Sequence, residues 1–163
     1  MTPEERQLLL KDLCTRLPYG VKVENTSFSE PQIHTLLGRV SDDEFLMLET
    51  YKSVGGEDYR RVTDDVHYTG YLESIKPYLR PMSSMTEEEN KDAREKFFEG
   101  SDHYDIDDIG EIYADTYQPY TSVYTLSFAR LSGYIDWLNA HHFDYRRLIS
   151  MGLANEAPVG MYK

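Results

Sequence analysis

Three features of the sequence predict an α+β fold. A helix start signal opens the chain, period-two alternation takes over from residue 19 to about residue 80, and helical composition returns after Thr86. The elements expected are an N-terminal helix, an antiparallel sheet of three to five strands within residues 19–80, and helices near 87–99 and 123–140. No internal repeat or low-complexity linker interrupts the chain, so residues 1–163 read as a single α+β domain.

The opening helix is marked by Thr2-Pro3-Glu4-Glu5. A hydroxyl at the N-cap, proline at the first helical position and glutamate three residues on make a capping box. Leu9, Leu13 and Leu17 recur at every fourth position with Leu10 and Cys14 beside them, giving one apolar stripe. Cys14 on that stripe reads as a small core residue. Pro18 and Gly20 stop the helix. From Tyr19, Val21 and Val23 alternate with Gly20, Lys22 and Glu24, as in a half-buried strand. Ile33 to Val40 and Glu44 to Tyr51 are the next strands, joined through Ser41-Asp42-Asp43 as a hairpin turn. Gly55 to Asp58 marks a turn, and Tyr59 to Val66 returns as a fourth strand. Val66 to Leu72 and Ser74 to Leu79 carry weaker strand signals.

In the second half, Thr86 and Glu89 form another capping box, and helix-forming residues continue to Gly100. Phe97 and Phe98 are the large apolar residues able to anchor that helix. Val123 to Ala140 carries Leu131, Tyr134, Ile135 and Leu138 as its core stripe, with Trp137 on the flank. A short helix over Asp144–Met151 should end at Gly152 in a left-handed cap. The tail from Leu153 is expected to lie along the surface.

Charge is uneven. The chain has 29 acidic and 17 basic residues, a net of −12, which disfavours direct binding to nucleic acid. Residues 86–115 hold twelve acidic side chains against three basic ones, a net of −9. That segment reads as a solvated helix followed by an acidic loop, or as a surface that occupies a basic protein groove. Within it, an EF-hand register from Asp105 places Gly110 at the sixth position. It fails at Ile109 and Thr116, where oxygen ligands are required. His141 and His142 end the strongest helix, where a partly protonated ring meets exposed carbonyls, and Asp144 suits the N-cap of the next helix. A single cysteine fits a reducing compartment, and no apolar run approaches a spanning length. The expectation is a cytoplasmic protein with no membrane partner, no metal and no cofactor.

Arginine follows tyrosine repeatedly: Tyr59-Arg60-Arg61, Arg80 two residues after Tyr78, and Tyr145-Arg146-Arg147. Guanidinium forks bind phosphate or carboxylate bidentately, and tyrosine rings stack on bases. The candidate ligand-binding residues are Tyr78, Arg80, Trp137, Tyr145 and Arg146. The alternative is that these arginines pair with the chain's own carboxylates. No nucleophile motif or phosphate-cradling glycine loop is visible, so no catalytic residue is assigned.

Longer stretches carry a resemblance. Leu10-Lys11-Asp12-Leu13-Cys14 leading into Arg16-Leu17-Pro18-Tyr19-Gly20-Val21 is one. Ile75-Lys76-Pro77-Tyr78-Leu79-Arg80-Pro81-Met82-Ser83-Ser84-Met85-Thr86-Glu87-Glu88-Glu89 is a second, and Trp137-Leu138-Asn139-Ala140-His141-His142-Phe143-Asp144-Tyr145-Arg146 a third. Together they resemble a family of small uncharacterised proteins encoded in gut Bacteroidales genomes and in their phages and prophages. The resemblance implies a phage or mobile-element origin and brings no site residue with it.

The function expected from these readings is a non-enzymatic accessory protein that sequesters a small anionic, nucleotide-derived ligand, with countering host defence as its role. Two rivals stand beside it. One is an acidic inhibitor that blocks a host protein. The other is a small nucleotide hydrolase using His141, His142 or His103 with a neighbouring aspartate. A homo-oligomer, with a pocket between subunits, is compatible with the first reading.

Overall fold

The structure is a computed structural model. It describes residues 1–27, 30, 32–41, 44–54, 58–60, 67–98, 104–106, 112–114 and 128–162. Helix α1 spans Pro3–Arg16, and both halves of its capping box form. Thr2 Oγ1 accepts from the Glu5 amide at 3.2 Å, and Glu5 Oε2 accepts from the Thr2 amide at 2.7 Å. Leu9, Asp12, Leu13 and Arg16 make its buried face, spaced three and four apart. A 3₁₀ turn over Leu17–Tyr19 follows and closes on Gly20, whose φ of 65° is the left-handed value that glycine adopts freely. Tyr19 therefore belongs to this turn and not to the strand expected to begin there, because Pro18 favours the first position of a helical turn.

The described strands are β1 (Lys22–Asn25), β2 (Gln32–Arg39), β3 (Glu44–Val54), β4 (Asp58–Arg60), β5 (His67–Tyr71), β6 (Ile75–Leu79), β7 (Tyr104–Ile106), β8 (Ile112–Ala114) and β9 (Asn155–Glu156). Seven form one sheet in the order β4-β3-β2-β1-β6-β9, with β5 also paired to β3. Every pair is antiparallel except β6 with β9. The α+β class holds, and the sheet is larger than the three to five strands expected. Two of the extra strands were hard to read: β6 carries Pro77, which cannot donate to a ladder, and β9 has only two residues. The turns at 42–43 and 55–57 and the stretch 61–66 lie outside the described residues.

The chain divides into two compact units, one of residues 1–79 and 146–163, the other of residues 80–145. In the first, Leu9 and Leu13 of α1 pack on Val21, Val23, Leu36, Phe45, Met47, Leu72, Ile75 and Leu79, joined by Leu148 and Leu153. Burial alternates along β6, with Ile75, Pro77 and Leu79 inward, as a one-sided sheet requires. Cys14 is partly buried against this core.

In the second unit, helix α2 (Glu87–Ala93) follows the Thr86 capping box and continues as a π-helical turn over Arg94–Phe98. β7 and β8 pair antiparallel, so the stretch read as an acidic loop contains two short strands. Helix α3 spans Phe128–Ala140, and the expected start at Val123 lies outside the described residues. Its core face carries Tyr134, Trp137 and Leu138, whereas Leu131 and Ile135 are only partly buried. Trp137 is thus a core residue, not a flanking one, because the face turns toward Phe98 and Phe143.

The helix expected over Asp144–Met151 does not form; the chain runs through turns instead. Arg147 has a φ of 62°, which breaks a right-handed helix where it would begin. Asp144 consequently caps no helix, and its amide donates to the Arg80 carbonyl at 2.7 Å. Gly152 does take the left-handed conformation expected of it, at φ 73°.

Candidate functional site

Arg80 opens the second unit. Its amide donates to the His142 carbonyl at 2.8 Å and its carbonyl accepts from the Asp144 amide at 2.7 Å, which makes a parallel bridge to Phe143. The side chain then lies over the Phe143 ring, 4.2 Å from its centroid. Both arms of the guanidinium reach Glu89, Nη1 to Oε1 at 2.6 Å and Nη2 to Oε2 at 2.8 Å. Nη2 also donates to the Ser84 carbonyl at 3.2 Å. Glu89 Oε2 accepts from the Thr86 amide at 2.9 Å, so one carboxylate caps α2 and fills the arginine fork. The Arg80 hydrogen bonds, with a further contribution from the Thr86 amide, outweigh burial and pull the Glu89 carboxyl down to about 2.

Trp137 stacks on Phe143, ring centroids 5.8 Å apart, and on His141 at 4.0 Å. Its indole N–H donates to Asp92 Oδ2 at 3.2 Å, and Lys96 Nζ donates to the same oxygen at 2.8 Å. The Lys96 hydrogen bond is the main cause holding Asp92 below the usual carboxylate range. Tyr145 packs against this cluster and donates its hydroxyl to Asn139 Oδ1 at 3.2 Å. Arg80, Trp137 and Tyr145 are therefore brought together around Phe143.

Tyr78 and Arg146 belong to the first unit and have separate surroundings there. Tyr78 donates its hydroxyl to Glu24 Oε1 at 3.3 Å. Arg146 Nε donates to Asp12 Oδ1 at 3.2 Å. Asp12 is fully buried and is also gripped by Arg16, Nε to Oδ2 at 2.7 Å and Nη2 to Oδ1 at 3.1 Å. Burying a carboxylate requires such partners. Each arginine of the candidate set thus faces a carboxylate of its own unit, as the alternative reading of these arginines anticipated.

His141 sits where the capping argument put it, with Nδ1 2.8 Å from the Trp137 carbonyl in the last turn of α3. His142 adopts φ 59° just beyond that helix and is buried. His103 lies outside the described residues. Among the described residues, no three His, Cys, Asp or Glu side chains gather as a metal ion would need. No described helix is long and apolar enough to cross a membrane.

The described residues form, among others, two grooves that each lie within one unit. One, of about 360 Å³, runs along α2 and is lined by Met85, Thr86, Glu87, Asn90, Lys91 and Arg94. The other, of about 270 Å³, has Leu9, Leu72, Ile75 and Leu153 in its lining, together with Glu5, Glu73 and Lys76. Glu87 and Glu88, in the first turn of α2, are exposed, and among the described residues neither is in an ion pair.

Sequence reasoning overlooked Glu89, Asp12 and Phe143 as the partners of the candidate arginines. Two signals for them existed. Asp12 and Arg16 stand four apart on a helix, and Glu89 was already identified as a capping residue. Nothing in the sequence announced Phe143. No family model, curated protein or solved structure matches this chain.

Proposed function

We propose that this chain is a non-enzymatic binding protein of phage or mobile-element type that docks on a basic face of a host protein through the acid-rich segment 86–115. One observation carries the reading. The Arg80 and Arg146 side chains are engaged by Glu89 and Asp12, while Glu87 and Glu88 are exposed and outside any described ion pair. The charge left for a partner in that segment is acidic. Clustered charge of one sign steers and orients a partner of the other sign, and its effect weakens with salt. The test is charge reversal of the exposed Glu87 and Glu88 to lysine. Capture of a basic host protein should be lost, with unfolding nearly unchanged, since exposed charges contribute little to stability. Capture that survives the reversal defeats the proposal.

A second reading, sequestration of a small anionic nucleotide-derived ligand, is favoured by Arg80 lying on the Phe143 ring beside Trp137. In that reading Glu89 holds the place of the ligand's anionic group. Glu89→Gln should then strengthen binding to a panel of cyclic and ADP-ribose-type nucleotides. Calorimetry showing no binding by either protein removes it.

A further inference from the structure

The antiparallel register of β1 with β6 runs through Val23 opposite Pro77 and stops there. The next rung is made by a side chain from the far end of the chain. The Tyr162 hydroxyl accepts from the Lys22 amide at 3.0 Å and donates to the Tyr78 carbonyl at 2.7 Å. Burial raises this phenol well above its ordinary pKa, so it stays a neutral donor. Seven residues earlier, the same segment is fastened a second time. β9 pairs with β6, the Ala157 amide donates to the Leu79 carbonyl at 2.8 Å, and Asn155 Nδ2 donates to Glu24 Oε2 at 2.9 Å.

Between these ends the segment arches outward. Val159 is 100% exposed, and Gly160 takes φ 90° in a turn closed by the Met161 amide on the Pro158 carbonyl. From Asn155 to Tyr162 every residue is exposed or only partly buried, whereas Leu79 and Val23 are 0% exposed. A segment held by hydrogen bonds opens at far lower free energy than a sheet held by burial.

We propose that residues 155–162 form a strap which releases from the sheet as one unit, latched by Tyr162, and which closes the β6 edge while it is fastened. Release bares the Leu79 carbonyl that Ala157 otherwise pairs and the Tyr78 carbonyl that Tyr162 otherwise holds. An open edge of this kind is a template for an added strand.

Amide hydrogen exchange on the full chain tests this by reading each end of the strap from the other. Tyr162→Phe keeps the ring and removes the hydroxyl. It should quicken exchange at Ala157 by about 5- to 150-fold, the loss of two net hydrogen bonds. The Leu36 amide, bonded to the Val21 carbonyl at 2.9 Å inside the sheet, should not change. Asn155→Ala should quicken exchange at Lys22, whose acceptor is the untouched Tyr162. The proposal is overturned if each variant affects only its own end. It is equally overturned if Ala157 and Leu36 exchange in step in the unaltered protein, because the strap then opens only with the whole sheet.

Discussion

Arg80 and Phe143 are joined twice, once through a parallel backbone bridge and once through the guanidinium lying 4.2 Å from the ring centroid. With Glu89 filling the fork, this arginine ties three segments of its unit: the turn at Met82–Ser84, the head of α2 and the chain leaving α3. Its geometry is planar at every contact. Arg80→Lys should therefore destabilise the protein by about 1–3 kcal/mol, since lysine keeps the charge but loses the paired donors and the flat face. Denaturant unfolding measures this, and a lysine variant as stable as the parent refutes the assignment.

Glu89 gives this pair a pH signature. Its carboxyl is lowered from the ordinary 4.5 to about 2. A depressed carboxyl stabilises the fold fully above its unfolded pKa. That stability is lost as pH falls from about 4.5 through about 2. The contribution is about 1–2 kcal/mol once solvent screening of a partly exposed pair is allowed for. Thermal unfolding of Glu89→Gln should show a flatter pH dependence across that window, and an unchanged slope counts against the pair.

Asp12 is the more severe case. Removing it takes away the carboxylate that both the fully buried Arg16 and the mostly buried Arg146 bond. Asp12→Ala should cost about 3–5 kcal/mol, the usual consequence of an uncompensated buried charge. Arg146→Ala should cost less, because Asp12 keeps both bonds from Arg16. Reversal of that order in urea melts sinks this account.

Gly70 on β5 is tight for a steric reason. An added Cβ would stand 2.6 Å from Met47 Cε, 3.2 Å from Asn25 Nδ2 and 3.3 Å from Ile75 Cγ2. The methionine end can swing aside, but Asn25 and Ile75 are fully buried or nearly so. Gly70→Ala should lose about 1–3 kcal/mol, and a neutral or stabilising effect on the melting temperature contradicts the packing.

What the sequence disclosed is what local chemistry controls. Both capping boxes formed because hydroxyl, spacing and glutamate lie within four residues of one another. Alternation of Val21 and Val23 with Lys22 and Glu24 placed β1, because one buried face imposes period two. Some misses depended on distant contacts and others on local backbone geometry. Trp137 moved into the core because Phe98 and Phe143 lie on its side of α3. Residues 144–151 stayed out of a helix because Arg147 turned left-handed, which no propensity indicates. The candidate pocket was built from tyrosine and arginine adjacency, yet adjacency says nothing about which carboxylate fills a fork. Asp12 and Arg146 are separated by most of the chain, and only the fold shows that they meet.

The first unit is discontinuous, with residues 80–145 inserted between its parts. During synthesis at about 5–20 residues per second, that insertion delays residues 146–162 by roughly 3–13 s. Throughout the interval the nascent α1 has Asp12 and Arg16 without Arg146, and the core lacks Leu148 and Leu153. β6 meanwhile has no β9 beside it. The ribosome-bound chain thus presents an open strand and an unfinished core for seconds before residues 146–162 arrive to complete them, which makes this the period in which chaperones or a second nascent copy have access to that strand.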